Sequence, residues 1–480
     1  MQLKSDLFKW VKQTGRKIII DLAKIYSVFP VNLRKNILYY YKKNEFPRED
    51  PTVFYCFDSH WNSVESFLPI LYWLKERMGY RIIVFWGKEN EHSIIRGNEA
   101  YFKMLMDVSD VAVLNGFIPV ESSSKTKRFE RLLLNAKDIF CYTLMQYGLQ
   151  RECVALLGNY NVISVLRVLD NDEQYWGWLY ECFPLVKHIA HPHAFMGMLN
   201  LPDADWLSYY KAKSDVITWT DAGCLSGFAR ILDGAAYEKL KKRLVIVGMP
   251  RYDAWWLEKI TALDYRMTLF NKELAAKRKK KKVLVCFGRL TILNPAVAEF
   301  LKEQEVTIRE LNELKQFLGD YKTVDAFFVF KFHPSTALYH VDLNVFFQQF
   351  IPQCQFDFQV TNLPVASIAR YVDLVVSVGI STVAMESVAL GIPTIEFHEK
   401  RKSDYWYRCI DETYGSFLKL HQLALYASNA QELSCWVNRV LEGKVPWDEY
   451  YKKLQGYIML DGNASKRVGD VVQRYVQPSV

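Results

Sequence analysis

The sequence predicts an α/β protein made of two doubly wound halves, and three observations carry that expectation. Short, continuous apolar runs (Thr52–Phe57, Arg81–Trp86, Val283–Phe287, Phe327–Phe332, Asp373–Val378) recur along the chain. Such runs are too short for helices and are followed by Gly, Asp or His, which suits strands buried on both faces of a parallel sheet. Helix-like stretches such as Val64–Met78 alternate with them, as crossover connections between parallel strands require. With 480 residues, 50% of them hydrophobic, the chain can bury two or three separate cores and is too apolar to be disordered.

The elements follow in order. Residues 1–43 hold ten basic residues against Asp6 and Asp21, which accounts for the whole formal charge of +8. Leu3, Leu7, Trp10, Ile18, Leu22, Ile25 and Phe29 recur at helical spacing there. A basic amphipathic helix of this kind suits an anionic membrane surface; the alternative is a helix packed on the protein's own body. Asp21 interrupts the apolar core that a signal peptide needs, and no apolar run reaches the roughly 20 residues of a membrane span. After Pro47 and Pro51 come the strand Thr52–Phe57, a loop at 58–62, the helix Val64–Met78 and the strand Arg81–Trp86. Weaker strands are expected at Val111–Leu114, Ile139–Tyr142, Val162–Val168, Val216–Thr218 and Leu244–Val247, the last running into a turn at Gly248–Asp253.

The run AKRKKKK at Ala276–Lys282, just before a buried strand, reads as a solvated linker or domain edge, because the aromatic-flanked basic grooves of nucleic-acid binders are missing. Beyond it the alternation resumes at Val283–Phe287, Phe327–Phe332 and Asp373–Val378, then a helix to Ala389 and the strand Thr394–Phe397. The tail from about Gln431 reads as helical. The expected division is 1–46 basic segment, 47–275 first Rossmann-type domain, 276–446 second, and 447–480 C-terminal helix. The nine cysteines are scattered without a C-x-x-C pair, as reduced thiols of a cytosolic protein are.

Chemistry concentrates at strand ends. In the segment from Asp373 to Ile395 an apolar strand runs into Ser377, Gly379, Ser381 and Thr382, which open a helix. Hydroxyls and free N–H groups at a helix N-terminus suit a phosphate, and Glu386, one turn in, could take a ribose hydroxyl pair. A second strand ends at Lys331, Phe332 and His333, where Pro334 forbids further pairing and leaves the imidazole at the sheet's carboxyl edge.

The spaced set Gly248-x-Pro250-Arg251-x-Asp253, Lys331-x-His333-Pro334 and Ser377-x-x-x-Ser381-Thr382-x-x-x-Glu386 with Gly391-x-Pro393 resembles GT-B glycosyltransferases of capsule and lipopolysaccharide assembly. It is similar as well to the CDP-glycerol poly(glycerophosphate) glycerophosphotransferases. That resemblance implies a GT-B-like fold of two Rossmann-type domains facing a cleft, with the donor in the second and the acceptor in the first. It also implies a metal-independent, inverting transferase without a cofactor, whose partners are a nucleotide-sugar donor, a glycan or lipid-linked acceptor and the inner face of the cytoplasmic membrane, but no nucleic acid. The chain departs from the glycerophosphotransferases at His191-Pro192-His193-Ala194, which lacks their Gly-Thr, and at the Ser377–Thr382 turn. Sugar transfer is therefore preferred over polyol-phosphate transfer, with a UDP-sugar 2-epimerase and a non-enzymatic scaffold as further alternatives.

Such a transfer needs a base for the acceptor hydroxyl and positive or dipolar groups for the departing phosphate. Asp58 and His60, after the first strand of the first domain, and His191 and His193, after the segment Leu185–Ala190, are the base candidates. Arg289 follows the first strand of the second domain and is expected on the phosphates with Arg251, Lys331 and His333. Asp170-Asn171-Asp172 mimics a metal-binding D-x-D but reads as an ordinary turn, and no metal site is expected.

Overall fold

A computed structural model describes residues 38–57, 61–86, 99–115, 154–169, 179–180, 183–192, 203–211, 214–222, 224–264, 266–277, 280–287, 301–320, 326–332, 358–361, 363–379, 381–398 and 417–474. Strands β1 (Leu38–Lys43), β2 (Pro51–Phe57), β3 (Arg81–Trp86), β4 (Val111–Asn115), β5 (Asn161–Val168), β6 (Lys187–His191), β7 (Val216–Trp219) and β8 (Leu244–Ile246) form one sheet in the order β1-β4-β3-β2-β5-β6-β7-β8. Strands β9 (Lys281–Phe287), β10 (Ala326–Lys331), β11 (Phe358–Thr361), β12 (Leu374–Val378), β13 (Thr394–Phe397) and β14 (Leu425–Ala427) form the other, ordered β11-β10-β9-β12-β13-β14. The second sheet is parallel throughout and has the Rossmann order 3-2-1-4-5-6. The first repeats that order from β2 onward. Each sheet therefore has a switch point where strand order reverses, between β2 and β5 in one and between β9 and β12 in the other.

Burial on both faces explains the continuous apolar runs. Val53 and Tyr55 of β2 enter one core while Phe54 and Cys56 enter another. In β9, Val283, Val285 and Phe287 divide in the same way from Leu284 and Cys286. Helix α1 (Trp61–Met78) covers the first sheet with Val64, Phe67, Leu68 and Leu71. Helix α2 (Glu99–Val108) packs beside it through Tyr101, Met104 and Leu105.

Three expectations are corrected. The basic segment does not run unbroken to residue 46, because its end is β1, an antiparallel edge strand on β4. The sequence LYYYKK favours this: tyrosines suit a pleated surface, and lysines on an edge discourage pairing with other chains. Lys42 Nζ donates to the Met106 carbonyl at 2.9 Å, tying the strand to α2. The amphipathic helix expected before it, and the strand at Ile139–Tyr142, lie outside the described residues. The basic run at Ala276–Lys282 is not linker from end to end, since Ala276 closes a helix and Lys281 and Lys282 open β9.

The third correction concerns the tail. After α3 (Ala254–Leu263), α4 (Arg266–Ala276), α5 (Leu301–Asp320), α6 (Thr382–Ala389) and α7 (Ala430–Leu441), the chain ends in two helices, not one. Helix α8 (Trp447–Gln455) joins the second sheet's core through Trp447 and Leu454, and Trp447 Nε1–H donates to Gly391 O at 3.0 Å. Helix α9 (Ala464–Gln473) instead sets Val468, Val471 and Val472 into the core beside the first sheet. Gly469 permits that crossing. A Cβ there would sit 2.7 Å from Met78 Sδ and 3.1 Å from Trp73 Cδ1 of α1. Gly469→Leu is therefore expected to cost about 1–3 kcal/mol, read as a lower urea midpoint, with Gly469→Ala in between because the Met78 side chain can yield.

Candidate functional site

At the second sheet's switch point the sequence places small residues where the backbone must turn sharply. β12 ends at Val378, and Gly379 follows with φ +73°, its N–H donating to Phe397 O at 2.9 Å. Ser381 then caps α6, its hydroxyl accepting from Val383 N–H at 3.3 Å, with Thr382 as the first helical residue. Behind this turn Ser377 is fully buried, and its hydroxyl has no hydrogen-bond partner among the described residues. A buried hydroxyl left without a partner costs about 1–3 kcal/mol, which the fold tolerates where a ligand or water completes it. Lys331 ends β10 on the same sheet edge; its ammonium is buried and donates to Phe332 O at 3.3 Å.

Glu386 lies one turn into α6 and meets Arg251. The guanidinium Nη2 stands 2.6 Å from Glu386 Oε1, and Nη1 stands 3.3 Å from Glu65 Oε2 on α1. Tyr101 of α2 fixes Glu65 in turn, its hydroxyl donating to Oε1 at 3.0 Å. Only 3% of the Arg251 side chain and 9% of Glu386 are exposed, so this pairing is hidden from bulk water. Arg251 thus joins the helix of the second switch point to the first helix of the first sheet. Burial works against the arginine's charge, but Glu386, Tyr252 and Glu65 overcome it and raise its pKa. Burial likewise lifts the Glu386 carboxyl above its ordinary value; Arg251 pulls it back, while Glu65 adds to the lift.

The motif around Arg251 divides into support and site. Gly248 takes φ +86° and comes so close to the crossover that a Cβ would lie 2.8 Å from Met459 O. Asp253 is buried and accepts from Ala464 N–H at 2.9 Å and Ser465 N–H at 2.7 Å, capping α9. These two residues tie the chain's last helix to the turn that presents Arg251.

Across the first sheet, His191 is the last residue of β6, a strand whose polar sequence KHIAH hid it from periodicity. Its Nδ1 lies 3.0 Å from Thr218 Oγ1, and that hydroxyl donates to Ala190 O. Thr218 therefore accepts from Nδ1–H, and the basic lone pair stays on Nε2. The edge of the ring faces Phe67 at 5.7 Å. His188, three residues earlier, stacks on Tyr180 at 3.9 Å; burial and the nearby Arg167 push its pKa down to about 4 and keep it neutral.

The structure thus brings Arg251 and Glu386 into contact, and sets Ser377, Ser381 and Thr382 at one switch point with Lys331 on the same sheet. It places His191 on the other sheet. Asp58, His60, His193, Arg289 and His333, together with Asp170 and Asp172, lie outside the described residues. Glu65 and Tyr101 escaped the sequence reading. The available signal was an acid inside the apolar stretch Val64–Leu71 of a helix buried along one side.

No protein-family model matches the chain, and no curated protein sequence does. Solved structures do. A glycosyltransferase from Rickettsia africae aligns at TM-score 0.50 and 11% identity, covering 90% of this chain and 100% of its own. The UDP-GlcNAc 2-epimerase from Neisseria meningitidis, solved bound to UDP-GlcNAc, aligns at 0.53 and 12%, covering 88% and 100%. S. aureus MnaA, solved with UDP, aligns at 0.51 and 11%, covering 89% and 97%. Likeness at this identity is one of fold. Two parallel Rossmann-type sheets in this order make the chain GT-B-like.

Proposed function

We infer that the chain transfers a sugar from a nucleotide-activated donor to a cell-envelope glycan, with the nucleotide seated at the second sheet's switch point. The observation that carries this reading is the buried Ser377 hydroxyl beside the capped N-terminus of α6, with Glu386 one turn further in. A helix N-terminus takes phosphate, and a carboxylate one turn in takes the ribose hydroxyls. Lys331, Arg289 and His333 would add charge against the phosphates. The acceptor would lie against the first sheet, with Asp58 as the preferred base and His60, His191 and His193 as rivals. The reaction would need no metal. The division of the chain at 47–275 and 276–446 belongs to the same reading.

Residues 1–37 would hold the enzyme on an anionic inner membrane face. No described helix is long and apolar enough to cross a membrane.

The test is a thermal-shift screen of the full chain with UDP, GDP, CMP and CDP. Stabilisation of about 2.7 kcal/mol is expected at a hundredfold excess over Kd for a nucleotide that binds the native state alone. UDP, GDP or CMP supports sugar transfer, CDP a polyol-phosphate enzyme, and none of them a scaffold. The similarity to a UDP-GlcNAc 2-epimerase solved with UDP-GlcNAc gives epimerisation a specific claim as second reading. Incubation with UDP-GlcNAc and no acceptor separates the two: an epimerase accumulates the 2-epimer, whereas a transferase leaves the sugar intact.

A further inference from the structure

Glu386 is placed by two elements that belong to different sheets. Its own helix, α6, opens at the second switch point, but its Oε1 is held by Arg251, and Arg251 is held in turn by Glu65 from α1. One guanidinium therefore serves two carboxylates, at 2.6 and 3.3 Å, in a setting where Arg251 is buried. Both carboxylates draw on the same cation, so the charge on Glu65 sets how much of Arg251 is left for Glu386.

We propose that Glu65 is a positioning residue of the nucleotide site: from the first sheet, through Arg251, it sets the aim and the charge of the Glu386 carboxylate. This inference rests on the reading of Glu386 as the ribose ligand. Tyr101 completes the relay, because its hydroxyl binds the Glu65 oxygen that does not face Arg251. The groups facing Glu386 among the described residues come from several elements. They are Glu65 from α1, Arg251 and Tyr252 from the turn after β8, Lys331 from β10 and the Cys286 thiol from β9. Of these, Arg251, Lys331 and Tyr252 favour the ionised carboxyl, while burial and Glu65 oppose it.

A ribose hydroxyl pair donates to an ionised carboxylate, which is acceptor-only, so nucleotide binding should fail in acid as Glu386 takes up a proton. Glu65→Gln removes the repelling carboxylate and leaves Arg251 to Glu386. The acid limb should then move to lower pH by about one unit. The experiment is calorimetric titration of UDP into the full-length protein from pH 5 to 8, for wild type, Glu65→Gln, Tyr101→Phe and Glu386→Gln. The expected result is an acid limb in wild type, a limb at lower pH in Glu65→Gln, and weak binding without a limb in Glu386→Gln. In Tyr101→Phe, Glu65 loses its donor but keeps its charge and turns more fully to Arg251. Its limb should therefore move the opposite way, to higher pH.

A residue that only anchors α1 would change the melting temperature and leave the limb where it was. If Glu386→Gln abolishes the limb while Glu65→Gln and Tyr101→Phe leave it unmoved, the relay is wrong and the nucleotide site stands. If wild type binds no UDP, GDP, CMP or CDP, the site reading falls and this inference falls with it. Should Glu65→Gln fail to fold, Tyr101→Phe alone decides, because it keeps every charge in the cluster.

Discussion

Arg251→Met is expected to destabilise the protein by about 3–5 kcal/mol, the cost of removing one partner from a buried charge cluster. Little is lost in volume, since methionine fills much of the space of the arginine stem. What remains is Glu65 and Glu386, previously held by one guanidinium and now facing each other in a dry seam. The loss should depend on pH in a defined direction. Burial already lifts the Glu386 carboxyl above its ordinary value, and without Arg251 the lift grows. A carboxyl with a raised folded-state pKa contributes stability below its unfolded value and loses it as pH rises through the folded one. The variant should therefore come nearest to wild type in mild acid and fall furthest behind above neutrality. Adding Glu65→Gln and Glu386→Gln should restore most of the stability, because a fully neutral cluster leaves no buried charge unpaired. Chemical denaturation of the three proteins at pH 5 and pH 8 measures all of this. A deficit that is equal at both pH values would mean that lost packing, not charge, sets the cost.

The same cluster shows where the sequence was legible and where it was not. The strands β2, β3, β9, β10 and β12 could be read because each is buried on both faces, so apolar residues fill consecutive positions. β6 could not, because KHIAH hides two imidazoles in the core, one stacked on Tyr180 and the other held by Thr218. β1 was missed for a different reason: the charge that marks residues 1–43 as one segment continues into an edge strand, where lysine serves the strand's own solubility. Arg251 and Glu386 could each be singled out by motif, but their pairing is a tertiary fact that spacing cannot encode. Glu65 was invisible for the same reason: its meaning depends on a residue 186 positions away.

Asp58→Asn is expected to lower turnover by about 10²–10⁴ while leaving nucleotide affinity intact, which is the usual weight of a general base. β2 and β5 flank the first sheet's switch point, where open α/β sheets bind their ligands, and Asp58 is the first residue after β2. An amide keeps the shape of the carboxylate and loses the proton acceptor, so binding and chemistry should separate cleanly. If turnover stays within about tenfold, less than a base contributes, the role passes to a histidine, and of the three candidates His191 lies among the described residues. Its Nδ1–H is committed to Thr218, which leaves Nε2 as the proton acceptor, the tautomer a base requires. Thr218→Val then becomes the deciding variant. It keeps the β-branched shape in a fully buried position but removes the acceptor that fixes the tautomer. Should His191 be the base, Thr218→Val must slow the reaction and shift the acid limb of kcat. An unchanged profile would leave His60 and His193 to be tested in turn.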